Sequence, residues 1–350
     1  MRQVIQNKVK STSVLIFLVM LFASPVSYCN TIITGAVKDS VTGEPLKYAN
    51  VFISGTTIGT KTDSLGNYKI TNIPMGSYKI VASYVGYTAG VKKAAFYKDT
   101  LLEINFSLSV SSNLLNGITI NASREEEWQK YYKIIATQLL GVSDNLSQIK
   151  ILNPENINIK FDDKEKIIRA TSDRAIRIIN NALGYKIEVY LSIFDFSIKQ
   201  NYLKYSYFVK FEEQNASDKL LLDEWNEQRQ KVYAGSIKHF FTSLFANNLE
   251  NESFTIVSGK LNNLLDGLGM WTSPKELKLS YNADSTLAVL KFSKCIKVSV
   301  KSWSILDIAD KDVILDKFGN LIQPEYLPVY GKWANERIAN MLPGNFQIKK

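Results

Sequence analysis

The chain has 350 residues, with 42 lysines and arginines against 33 aspartates and glutamates, a formal charge of +9, one histidine and two cysteines. A single histidine argues against the multi-histidine ligand sets of zinc hydrolases. Basic residues scattered without an aromatic-laced stripe argue against nucleic acid as a partner. The length allows two or three domains, each large enough for a core.

Residues 1–29 read as a signal peptide. Arg2, Lys8 and Lys10 supply the charge, and Val14 to Ala23 is an apolar run too short for a stable span. Ser27 and Cys29 fit the small-residue positions before a cleavage site, which gives a mature start at Asn30. The alternative makes Cys29 a lipid anchor, but Tyr28 before it is bulky where such sites carry a small residue. No later stretch reaches membrane-span length, so an exported chain in the periplasm or at the cell surface is expected. Removing the leader takes three of the 42 basic residues and no acid, leaving 39 against 33, or +6. Cys295 is then the remaining cysteine, so stability rests on packing rather than on an internal disulfide.

Residues 30–110 alternate strands and turns with no helical pattern. Tyr78, Ile80, Ala82 and Tyr84 share one strand face, and Lys79, Val81 and Ser83 share the other. Leu102, Ile104, Phe106 and Leu108 alternate in the same way with Glu103, Asn105 and Ser107. Turn residues separate the strands at 42–45, 63–67 and 73–76. Asp39, Asp63 and Asn67 lack the dense acidic ladder of a calcium loop and read as turn formers. Short strands at this spacing predict a small β-sandwich that folds on its own. Thr42-Gly43-Glu44-Pro45-Leu46, Ala49-Asn50-Val51, Gly55 to Thr60, Thr62 to Tyr68 and Ile73 to Tyr78 carry a resemblance to the carboxypeptidase regulatory-like domain, a prealbumin-like β-sandwich. That fold names no activity.

Residues 111–122 read as a linker. Leu115 to Ile120 is similar to the junction that leads such domains into outer-membrane transporters. The following chain is too short for a barrel of about 22 strands. Residues 123–350 read as an α+β domain. Ser123 and Glu126 form a capping box, Trp128, Tyr131, Tyr132, Ile135 and Leu139 recur at helical spacing, and Gly141 stops the helix. Two or three antiparallel hairpins follow over 149–213. One long helix is expected over about 218–249, capped by Ser217 or Asp218. Strands are expected at 254–258, 277–281, 286–292, 296–300 and 312–323, and a short helix at about 331–342. The whole is mainly β plus α+β. This part resembles the segment that follows the same β-domain in exported proteins of outer-membrane-bearing bacteria, through Ile151 to Pro154, Asn181 to Tyr185, Tyr233 to Phe240, Gly331 to Arg337 and Met341 to Pro343. The resemblance implies a cell-envelope setting and no mechanism.

No G-x-S-x-G, Walker or dinucleotide fingerprint is present, and Ser147 to Lys150 matches S-x-x-K once, as chance allows. A metallocarboxypeptidase site, a metal and a cofactor are therefore not expected. The best polar cluster is Trp225, Arg229, Val232, Ser236 and His239 at spacings of four and three, with Tyr233 alongside. Buried polar groups there need partners, so the cluster reads as a network fastening helix to sheet, or else as the wall of a binding groove. Lys238, one residue off the stripe, reads as a surface residue. The expected function is a non-enzymatic envelope protein that binds glycan or protein or assists assembly. The alternative is a hydrolase acting on envelope polymers through carboxylates of residues 123–350. On the first reading, mass spectrometry of the exported protein should show Asn30 as the N-terminus and no lipid. A diacylated Cys29 would reverse the assignment.

Overall fold

The computed structural model describes residues 31–74, 76–96, 100–111, 122–283, 285–322 and 327–348. The leader, most of the linker and the side chains of 122–125, with the Ser123 capping box, lie outside the described residues. Strands β1 (Thr31–Asp39), β4 (Asn67–Ile73), β7 (Leu101–Glu103) and β8 (Phe106–Leu108) form one sheet of a sandwich, with β1 antiparallel to β4 and parallel to β7 and β8. The second sheet runs β3 (Gly59–Lys61), β2 (Asn50–Ile53), β5 (Gly76–Ser83), β6 (Gly90–Phe96). Alternate residues of the two sheets meet inside, among them Ile33, Val37, Val51, Ile70, Ile80, Ala82 and Phe106. The turn carboxylates act as anticipated: Asp39 Oδ1 accepts from the Val41 and Thr42 N–H groups, and Asp63 Oδ1 from Leu65 and Asn67.

A six-stranded antiparallel sheet follows, built on the long strand β13 (Tyr185–Ser197). Strands β11 (Ile167–Thr171) and β12 (Ile176–Asn180) share one of its edges end to end, and β14 (Tyr202–Glu213) covers the other. Strands β9 (Ile149–Ile151) and β10 (Asn158–Asp162) close the flanks. Helix α1 (Ala122–Leu140) lays Tyr131, Ile135 and Leu139 on Ile168, Ile178, Ile187 and Val189, the face its periodicity foretold.

A separate core is built from residues between Phe240 and Trp333. Its five-stranded sheet runs β16 (Met270–Thr272), β15 (Thr255–Gly259), β19 (Cys295–Ser299), β20 (Trp303–Leu306), β22 (Val329–Gly331). A three-stranded sheet runs β17 (Leu279–Tyr281), β18 (Leu287–Phe292), β21 (Lys311–Asp316). Phe240, Phe241, Ile256, Leu290, Val298, Leu315 and Trp333 fill the space between. The helix expected over 218–249 is two: α2 (Lys219–Tyr233) and α3 (Ile237–Phe245). Gly235 adopts φ 77°, a left-handed conformation that ends the first, and the Ser236 side chain caps the second by accepting from the His239 N–H. The helix expected over 331–342 shortens to Lys332–Asn335 and a 3-10 turn, and strands β16, β20 and β22 lie outside the expected strands.

Part of the outward face of the sandwich's second sheet is buried too. Phe52 and Val81, pointing away from the sandwich core, are fully buried against Tyr190, with Phe208 and Ala175 beside them. The Phe52 and Tyr190 rings stack with centroids 5.7 Å apart. The loop after β2 then pairs with the free edge of β14. The Gly55 N–H donates to Val209 O at 2.7 Å, the Phe211 N–H to Thr56 O at 3.0 Å, and the Val209 N–H to Ser54 Oγ at 3.2 Å. An edge strand with unpaired backbone groups is thereby covered. Phe52→Ala should cost the full chain about 3–5 kcal/mol, as loss of a buried ring does. In an isolated 31–111 fragment, where the ring faces water, it should cost within about 0.5 kcal/mol. Denaturant curves of both pairs decide this; equal costs would place Phe52 in the sandwich's own core.

Candidate functional site

The six residues singled out in the sequence do not share one surface, and Val232 packs against the core beneath α1. Trp225 is buried and its Nε1–H donates to Asn181 O at 2.8 Å. Arg229 is 4% exposed. Its Nε–H donates to Leu183 O at 2.8 Å and an Nη2–H to Gly184 O at 3.4 Å, while the guanidinium lies 4.2 Å from the Tyr185 ring centre. These carbonyls belong to the turn between β12 and β13. Gly184 has φ 66°, and a Cβ there would sit 2.3 Å from the Trp225 ring, so only glycine lets the helix approach. Helix α2 is thus pinned to that turn by an indole and a guanidinium. Burial pushes the Tyr185 hydroxyl up to about 12, against the pull of Arg229.

Tyr233 and His239 belong to a different contact. The His239 ring lies 4.9 Å from that of Tyr233 and 5.0 Å from that of Phe254. Its Nδ1 accepts from the Gly235 N–H at 3.1 Å, which leaves Nε2–H to donate to Glu252 at 3.2 Å. Burial lowers the His239 pKa, with Glu252 opposing. Ser236 is spent as the cap of α3. Lys238 is no surface residue: its Nζ donates to Gly344 O at 2.7 Å and Asn320 Oδ1 at 3.1 Å, and burial brings it down to about 8 against the pull of Asp316.

Of the six, Arg229 alone lines a cleft, of about 700 Å³, where the sandwich, β14, α2 and the tail after Pro343 converge. Tyr185, Arg229 and the carboxylate residues Glu213, Asp223 and Glu227 line it. Asn226, Gln230, Asn345, Gln347 and Thr57 add amide and hydroxyl groups, and Pro343, Phe346 and Ile348 an apolar edge. Arg229 Nη1 is 3.7 Å from Glu213 Oε2. Asp223 and Glu227 are four residues apart on α2 and therefore face the same way, a signal present in the sequence. The tail residues carry no such signal. Lys231, paired with Glu227 at 2.7 Å, lowers the Glu227 pKa, the opposite of what a general acid needs. Among the described residues no three His, Cys, Asp or Glu side chains are placed to hold a metal ion.

Residues 33–120 match the family model of the CarboxypepD_reg-like domain, so the N-terminal sandwich is a domain of that family. A search of curated proteins finds no match. Among solved structures the chain is similar to the pilus 2b backbone protein of group B streptococcus, at 16% identity over 25% of this chain and 43% of that one, with a TM-score of 0.21. It is also similar to a type II cohesin-X-dockerin complex from Acetivibrio cellulolyticus, at 22% identity over 29% and 72% with a TM-score of 0.20. A protein of unknown function from Bacteroides fragilis is similar at 14% identity over 46% and 65%, with a TM-score of 0.18. The chain spans less than half the length of the two streptococcal pilus proteins it resembles.

Arg229→Ala should cost about 2–3 kcal/mol, because it strands the buried Leu183 carbonyl and removes the cation from the Tyr185 face, while Gly184 O keeps the Gln214 N–H. Arg229→Lys should restore little, since an ammonium cannot place two donors at that fork. Denaturant melts of the two variants check this, and a wild-type melt for Arg229→Ala would remove its structural role.

Proposed function

We propose that the protein is a non-enzymatic, exported binding protein of the cell envelope whose cleft takes a glycan. The observation that carries the reading is the lining. Planar amide and carboxylate side chains (Asn226, Gln230, Asn345, Glu213, Asp223) line it together with the Phe346 ring. Such a set offers many directional hydrogen bonds to hydroxyls and one apolar ring for a sugar face. Pre-positioned elements on four sides make the cleft largely preformed, which limits the ordering cost of binding. The basic, then apolar, N-terminal segment supports export. Calorimetric titration with soluble cell-wall oligosaccharides should show saturable binding. Asn226→Ala and Asp223→Ala should each weaken it about tenfold, the worth of one hydrogen bond to a charged or planar group, with unchanged melts. Absence of binding, or binding indifferent to both changes, would turn the reading down.

A hydrolase is favoured by one feature: carboxylates on two different elements, Glu213 on β14 and Asp223 and Glu227 on α2, border the same cleft. Two such acids are what glycoside cleavage uses. Release of reducing ends that is lost in Glu213→Gln would establish this second reading over the first.

A further inference from the structure

Residues 265–271, Leu-Asp-Gly-Leu-Gly-Met-Trp, are exposed without interruption. They lead from helix α4 (Leu261–Leu265) into β16, the edge strand of the five-stranded sheet. Four of the seven are large and apolar: Leu265 is 46% exposed, Leu268 63%, Met270 70% and Trp271 70%. Single exposed apolar residues are ordinary, whereas four in one hairpin form a patch that marks an interaction site.

The hairpin is well seated at its base. Leu264 is buried with Cys295 and Ile305, and Gly269 packs so closely that a Cβ there would meet Val257 and Leu264. The apolar tip is therefore held outward by its own packing. Trp271 stands in one row across the sheet with Val257 and Lys297. Trp303 extends the patch, 43% exposed with Lys297 Nζ 4.5 Å from its ring centre.

The charges around the tip select what covers it. Lys260 precedes α4, and Lys294 stands next to it because Gly259 and Cys295 are paired across the strands. Both are exposed. Lys297 Nζ lies 3.4 Å from Leu264 O. Asp266 is the acid within the hairpin, and Asp307, beside Cys295, is paired with Lys311 at 2.9 Å. A second copy meeting this tip with its own would bring the same lysines together. An anionic lipid surface satisfies both parts: leucine, methionine and indole enter the boundary between headgroups and acyl chains while lysines meet phosphates.

We infer that the 265–271 hairpin docks the protein onto an anionic lipid bilayer surface as a peripheral contact. No helix among the described residues is long and apolar enough to cross a membrane. The test is sedimentation of the full chain with phosphatidylglycerol-containing vesicles and with pure phosphatidylcholine vesicles. Partition onto the anionic vesicles should weaken with salt and fall about tenfold or more in Leu268→Ser/Trp271→Ser, with an unchanged melt. Lys260→Gln/Lys294→Gln should weaken it on anionic vesicles only. Tryptophan emission should shift to the blue on binding, and the shift should shrink in Trp271→Ser. No partition onto either vesicle, or partition indifferent to the tip variant, overturns the inference. A dimer seen by light scattering and dissolved by Leu268→Ser/Trp271→Ser overturns it too, by assigning the tip to a second copy.

Discussion

The stretch from Gly331 to Asn345 is the constraint on which the rest of the molecule hangs, because it touches every core in turn. Trp333 sits in the core that begins at Phe240, and its Nε1–H donates to Gly235 O at 2.8 Å, at the break between α2 and α3. The Val142 N–H donates to Asn335 O, and Arg337 reaches Gln138 at the end of α1. Ile338 and Ala339 enter the core beneath α1, where Asn180 Nδ2–H donates to Ala339 O at 3.0 Å. Finally the Gly344 N–H donates to Gly55 O, and the Thr57 N–H to Asn345 Oδ1 at 3.2 Å, which ties the tail to the sandwich. Contacts of such sequence separation carry a loop-closure cost that the packing at each joint must offset.

The division of labour between apolar and polar contacts follows from this. Within each core the contacts are apolar and non-directional, so they set compactness but not orientation. At the joints the contacts are hydrogen bonds with fixed geometry: Arg229 on two carbonyls, Lys238 on Gly344 O, Asn345 on Thr57. A buried polar group left without its partner is costly, so each joint accepts few alternative arrangements. The sequence contains those residues, yet their partners lie far off along the chain.

That separation explains what could be read in advance. The period-two pattern of 78–84 gave the correct inward face, but the outward Val81 is also buried, because a second sheet covers it. Alternation alone cannot distinguish a solvated face from one that docks. The stripe from Trp225 to Arg229 was legible as buried and hydrogen-bonded, since a polar residue aligned with a tryptophan on a core-facing helix needs partners. Its extension to Ser236 and His239 failed at Gly235. Apolar residues on both sides keep a helical rhythm, and that rhythm outweighed the glycine and serine that mark a stop and a cap. Lys238 was misread for the opposite reason: nothing near it in sequence announces Asn320 or Gly344.

The cleft's position has a thermodynamic consequence. Thr57 comes from the sandwich, Tyr185 and Glu213 from the long antiparallel sheet, Asn226 and Arg229 from α2, and Asn345 and Phe346 from the tail. A ligand that bridges them binds the docked arrangement and not the separated parts. Its free energy therefore adds to the joint by mass action, about 2.7 kcal/mol at a hundredfold excess over Kd. The same linkage runs in reverse, so whatever loosens the joint, such as loss of Phe52 from its stack with Tyr190, weakens ligand binding without touching the cleft. A cleft built at a joint is in this sense a reporter of domain docking. A cleft inside one of the three cores would lack that property.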